Sequence, residues 1–126
     1  MGVKISSHGD FKNTERFLAG VRDLDIESMM AAYGPEGCRA LASFTPKDSG
    51  KTANSWDYEV SSVKGLHVIT WYNTNVNKGF NIAIGLQYGH GTGTGGWVSG
   101  ADYINPALAP IFEKIAQSIW EEIKSL

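Results

Sequence analysis

Hydrophobic positions along this chain change their period three times, and the changes divide it into four stretches. Val3-Lys4-Ile5-Ser6 alternates and predicts a short strand. Gly9-Asp10 opens a helical stretch reaching Arg22, with Asp10 or Asn13 as cap and Phe17, Leu18 and Val21 as its apolar stripe. A second helix is predicted from Ile26 to Tyr33, capped by Asp25 and turning Met29, Met30 and Tyr33 inward. Gly34-Pro35 punctuates, since glycine ends helices and proline suits a first helical position. A third helix follows from Pro35 to Ser43, burying Cys38, Leu41 and Ala42. Thr45-Pro46-Lys47-Asp48-Ser49-Gly50 is then a turn that delivers the chain into the first strand.

The middle of the chain reads with period two. Trp56, Tyr58 and Val60 alternate with Asp57, Glu59 and Ser61, and Lys64-Gly65 offers a reversal. Leu66 to Tyr72 is β-rich with apolar groups on both faces, as expected of a central strand. A polar loop, 73–79, leads to a third predicted strand in which Ile82, Ile84 and Leu86 share a face. The expected strands are thus 55–62, 66–73 and 80–87. The last stretch returns to helical period from about Asn105-Pro106. Ile111, Ile115, Ile119 and Ile123 fall at i+4 steps, and Leu108, Phe112, Ala116 and Trp120 widen the stripe. Pro110 lies within the first turns, where a missing N–H costs little. Helices, then an antiparallel meander, then a long amphipathic helix is an α+β order.

At 126 residues the chain has room for one domain. An apolar content of 42% and a charged content of 19% are those of a soluble globular protein. The net charge of −2 argues against a general nucleic-acid binder, which needs a cationic face. One cysteine, Cys38, excludes an intrachain disulfide, and no His/Cys set has zinc-ligand spacing. No segment is apolar and long enough to cross a membrane, and no N-terminal run reads as a signal peptide. Gly2 and Ser6 match a myristoylation pattern, but the alternating strand accounts for the same residues. The expected place of synthesis is therefore a cytoplasm-like compartment.

Among the fifteen glycines, one run stands out: Gly89-His90-Gly91-Thr92-Gly93-Thr94-Gly95-Gly96, followed by Trp97-Val98-Ser99-Gly100. It satisfies G-x-G-x-x-G literally, yet Trp97 to Gly100 stand where a helix should open on a pyrophosphate. His90, Ser99 and Asp102 offer the residue types of a hydrolase triad without a nucleophile elbow. Asn73, Asn75 and Asn77 alternate like calcium ligands but lack any carboxylate, and Lys78 occupies the glycine position of such a loop. His8 and His67 stand alone, and Trp56, Trp71 and Trp120 read as core. No catalytic residue, cofactor or metal site is assigned. Glycine and threonine bury too little to offset the roughly 1–2 kcal/mol per residue lost on fixing a backbone. The run therefore reads as an arm, 89–100, mobile in the free subunit and ordered by a partner, with Trp97 as the anchor.

Three ordered segments carry a resemblance. They are Tyr33-Gly34-Pro35-Glu36-Gly37, Thr45 through Trp56, and Leu86-Gln87-Tyr88-Gly89-His90-Gly91-Thr92, followed by Asp102-Tyr103-Ile104-Asn105-Pro106-Ala107 and the closing helix. Together they resemble a family of small minor tail components of siphophages and their prophages, named after the tenth gene product of a lambdoid phage. The similarity runs from about Val3 to the last helix. Cys38 stands where a valine-like residue is usual, and the glycine run is barer of charge than the family pattern. The resemblance implies a non-enzymatic head–tail joining or tail-completion protein of the virion. It would form a homo-oligomeric ring, a hexamer, between the portal complex and the tail tube, with other connector and tail-tube proteins as partners. It implies neither sequence-specific nucleic-acid binding nor a membrane. The expected assembly interface is His90, Gly91, Thr92, Gly93, Thr94, Gly95, Gly96, Trp97 and Val98, with the 73–79 loop as a second reaching element. The competing expectation is a small enzyme or ligand-binding domain whose glycine loop closes over a substrate with His90 as base. A deep pocket lined by His90 and a carboxylate would favour it.

Overall fold

A computed structural model describes residues 12–46 and 50–126. The expected strand at Val3–Ser6 and the centre of the Thr45–Gly50 turn lie outside them. Among the described residues five helices and three antiparallel two-stranded ladders make an α+β fold. Helices α1 (Lys12–Arg22), α2 (Ile26–Ala31) and α3 (Gly34–Phe44) come first. A long hairpin of β1 (Trp56–Val63) and β2 (Leu66–Asn73) follows, then a small one of β3 (Val76–Asn77) and β4 (Phe80–Asn81). Helix α4 (Ile82–Tyr88), the short strands β5 (His90–Gly91) and β6 (Trp97–Val98), and helix α5 (Ile104–Lys124) complete the chain.

The core lies where α2, α3 and α5 meet the inward face of the β1–β2 hairpin. Met30, Ile111 and Ile115 form its buried centre, with Ile26, Tyr33, Val60, Ile69 and Trp71 packed around them. Asp25 caps α2 as expected, its carboxylate accepting from the Ser28 backbone N–H at 3.1 Å and its hydroxyl at 2.7 Å. Gly34 does not end α2, which closes at Ala32; it begins α3 instead. Its glycine is needed because a Cβ there would overlap the Tyr58 ring, and one at Gly37 would overlap the Trp71 indole. Close approach fixes α3 on the hairpin, and Trp71 Nε1 donates to the Gly34 carbonyl at 3.0 Å. A bond from Lys114 to Glu36 ties α3 to α5.

Several expectations need correction. The stripe of α1 is not buried: Phe17 and Leu18 face solvent, and the core cluster around Met30 is drawn from α2, α3, α5 and the hairpin. Trp120, Ala116 and Phe112 lie on exposed parts of α5, although Phe112 meets Trp71 edge-on at 5.7 Å. Trp56 and Trp71 are half-buried, Trp56 bonding Thr45 Oγ1 through its N–H at 2.9 Å. Among the described residues β2 pairs with β1 alone, where a central strand was expected. The expected third strand, 80–87, is strand only at Phe80–Asn81; from Ile82 it is helix. Asn81 caps this helix by accepting from Ile84 N–H at 3.3 Å. The buried positions are Ala83, Gly85 and Gln87, the parity opposite to the isoleucines. Small residues let α4 pack closely against Phe80 and Tyr103, and that packing outweighs the β-preference of Ile82 and Ile84.

Candidate functional site

The glycine run folds as a short hairpin. β5 and β6 pair His90 with Val98 and Gly91 with Trp97, and Thr92 N–H reaches the Gly96 carbonyl at 3.1 Å to close the tip. Thr92 Oγ1 accepts in turn from Gly96 N–H at 3.1 Å. Every residue from Gly91 to Gly100 is exposed. Trp97 is 67% accessible and Val98 45%, so the arm presents its largest apolar groups to solvent. The indole does not fold back into the core; it lies beside the backbone of Gly89 at the arm's root.

That root is a polar clamp that sequence reasoning missed. Gln87, buried on α4, accepts from the backbone N–H groups of Tyr103 and Ile104, both at 3.0 Å. The first turn of α5 has no side-chain cap of its own, so Gln87 supplies one from another helix. Its amide nitrogen donates to Asp102 at 2.8 Å, and Asp102 also accepts from Asn105 at 3.0 Å. The Gln87 hydrogen bond holds the Asp102 carboxyl below its ordinary value, with Asn105 adding to it. Tyr103 is buried and donates to the Ala83 carbonyl at 2.6 Å; burial pushes its phenol up to about 12. Gly89 (φ 89°) and Gly100 meet backbone to backbone where the arm leaves the body, and a Cβ on Gly100 would lie 2.5 Å from the Gly89 nitrogen. Ala101 N–H closes the same junction on the Leu86 carbonyl at 3.0 Å.

His90, Ser99 and Asp102 are not assembled into a triad. Asp102 is committed to Gln87 and Asn105, and Ser99 is exposed. The His90 Nδ1 atom is buried without a hydrogen-bond partner among the described residues, its ring tilted against Phe80 at 5.9 Å between centroids. The G-x-G-x-x-G segment runs into β6 and not directly into a helix, so it lacks the turn-to-helix junction of a pyrophosphate site. The 73–79 loop is a second hairpin pinned at its base. Asn73 donates to the Thr52 carbonyl at 2.8 Å, Asn75 to Thr52 Oγ1 at 2.8 Å, and Asn81 to the Asn73 carbonyl at 3.2 Å. These asparagines hold backbone and hydroxyl groups together.

Beside them opens a cleft of about 650 Å³, lined by Thr52, Ala53, Asn75, Asn77, Ile82 and Leu86 among others. Neither His90 nor a carboxylate is among its described lining residues. A groove of about 410 Å³ between α2 and α5 is lined by Met29, Tyr33, Glu121 and Glu122 among others. Among the described residues no three His, Cys, Asp or Glu side chains converge as a metal site. No family model, no curated protein and no solved structure matches this chain. What stands out on this surface is therefore the arm itself: an uncharged, glycine-rich hairpin with an exposed tryptophan, rooted on a buried hydrogen-bonded clamp.

Proposed function

We propose that this protein is a structural, non-enzymatic subunit of a tailed-phage head–tail connector. In this reading it assembles through the 89–100 arm into a homo-oligomeric ring, as the resemblance in its sequence implies. The exposed Trp97 on a hairpin with a fixed root carries the proposal. Tryptophan is enriched at the energetic centres of interfaces, and a rigid root lowers the ordering cost of docking. The wider surface supports it. Among the described residues sixteen large apolar side chains are exposed, whereas the buried apolar set has eight members, three of them alanine. Scattered exposed apolar residues are ordinary, but such an imbalance suits a chain that completes its burial against neighbours. Head-to-tail contacts that close on themselves make rings from one repeated interface.

Light scattering and electron microscopy of the purified chain, alone and with portal and tail-tube proteins, test this. Trp97→Ala is expected to leave the subunit's thermal midpoint nearly unchanged and to abolish or greatly reduce ring formation and head–tail joining. Unimpaired rings in that variant would refute the arm's role. Hydrogen exchange adds a separate check: Gly91–Gly96 should exchange fast in the isolated subunit and slowly in the ring. Strong protection without a partner would count against an assembly arm.

A further inference from the structure

The arm needs a receiving surface, and we propose that on the next copy it is the free edge and outward face of β2, at Leu66 and Val68. This rests on the ring reading above and adds the acceptor that reading leaves open. Among the described residues β2 is hydrogen-bonded to β1 on one side only. Its eight residues, Leu66-His67-Val68-Ile69-Thr70-Trp71-Tyr72-Asn73, contain no Lys, Arg, Asp, Glu, Pro or Gly. Edge strands are ordinarily blunted by such residues or by bulges, and an unprotected edge is a template for another strand. The opposite edge, on β1, carries Asp57 and Glu59.

The β1–β2 register places Val63 opposite Leu66 and Ser61 opposite Val68 on the face turned away from the helices. Val63 and Leu66 are 60% and 65% accessible, and with Val68 they form an apolar patch at the hairpin's distal end. The occupant that fits is the arm. It carries no charge from Gly89 to Gly100, so docking on an uncharged edge strips no ion of water. Trp97 brings an aromatic side chain to Leu66 and Val68, a pairing that sheets favour, while Val98, the next residue of β6, points to the other face. Lys64, at the hairpin turn with φ 52°, is the one charged residue at that end of the ribbon, and a cation beside an indole is attractive. β6 has only two residues, so added main-chain hydrogen bonds are few, and burial of the indole is the larger part of the contact. Each copy then offers one arm and one edge, which propagates head to tail. Pairing of β2 with β2 would instead close a twofold dimer and stop.

Cross-linking in a Cys38→Ala background decides this. Copies carrying Ser99→Cys are mixed with copies carrying Val68→Cys and treated with a short bismaleimide. The expected result is a cross-linked dimer that appears only in the mixture. In addition, Val68→Lys should keep the far-ultraviolet circular dichroism and thermal midpoint of the parent yet lose rings, as Trp97→Ala does. Rings that persist in Val68→Lys, with no arm-to-β2 product in the mixture, would overturn the acceptor and leave the ring reading standing. Dimers from Val68→Cys copies alone would show self-paired edges and overturn it too. A parent chain that forms no ring, even with portal and tail-tube proteins present, would remove the ring reading and the acceptor together.

Discussion

Gln87→Leu removes the cap on α5 without changing the volume of the side chain much. The wild-type amide oxygen serves two backbone N–H groups at 3.0 Å, and its nitrogen serves Asp102 at 2.8 Å. Leucine can serve none of them. Asp102 keeps Asn105 and is exposed to water, so its loss is small. The N–H of Tyr103 belongs to a residue only 5% accessible, so it is stranded, and a stranded buried donor costs about 1–3 kcal/mol. Loss of the second N–H bond resembles loss of a helix cap, about 0.5–2 kcal/mol. The sum is about 1.5–5 kcal/mol, or on the order of 5–20 °C in thermal midpoint for a domain of this size. Urea titration should show the midpoint falling with the slope unchanged. Gln87→Glu separates capping from packing. The introduced carboxylate can still accept both N–H groups but faces Asp102, so the deficit should be largest at neutral pH. It should shrink as acid protonates one of the two carboxyls. A Gln87→Leu effect within about 0.5 kcal/mol, the size of an ordinary surface change, would refute the clamp.

Three further outcomes follow from the packing. Ile115→Ala should destabilise by about 2–5 kcal/mol in a denaturant titration, because Ile115 sits in the buried centre with Met30 and Ile111. Gly37→Ala should cost about 1–3 kcal/mol or more, since the added methyl displaces the Trp71 ring; tryptophan fluorescence should shift with it. Tyr103 has its phenol raised to about 12 in the folded chain, against the ordinary 10, so its stabilising share is complete below pH 10. That share is lost as pH rises from 10 towards 12. Tyr103→Phe should flatten this part of the stability profile and cost about 1 kcal/mol at neutral pH through the lost bond to Ala83.

The sequence by itself determined the α+β order, the presence of α2 and α3 and the start of α2, and the β1–β2 hairpin. Each of these depends on local signals: a capping Asp25, proline near the start of α3, and strict alternation from Trp56 to Ser61 closed by Lys64-Gly65. The isoleucine stripe of α5 was legible for the same reason, since Ile111 and Ile115 fall one turn apart on one face. That the glycine run lies outside the core was visible too, because glycine and threonine offer little apolar surface to bury. What only the tertiary structure decided depends on groups distant in sequence. Ile82, Ile84 and Leu86 alternate like a strand, but the segment is a helix because Tyr103 and Phe80 cover its small residues from elsewhere in the chain. Phe17 and Leu18 look like core on a helical wheel, yet both are exposed in the fold. Gln87 gave no local sign of its role, because its partners Asp102, Tyr103 and Ile104 lie fifteen to seventeen residues further along. Local periodicity records which face of a segment is apolar; the fold decides which of those faces finds a partner, and which polar atoms must be met from across the chain.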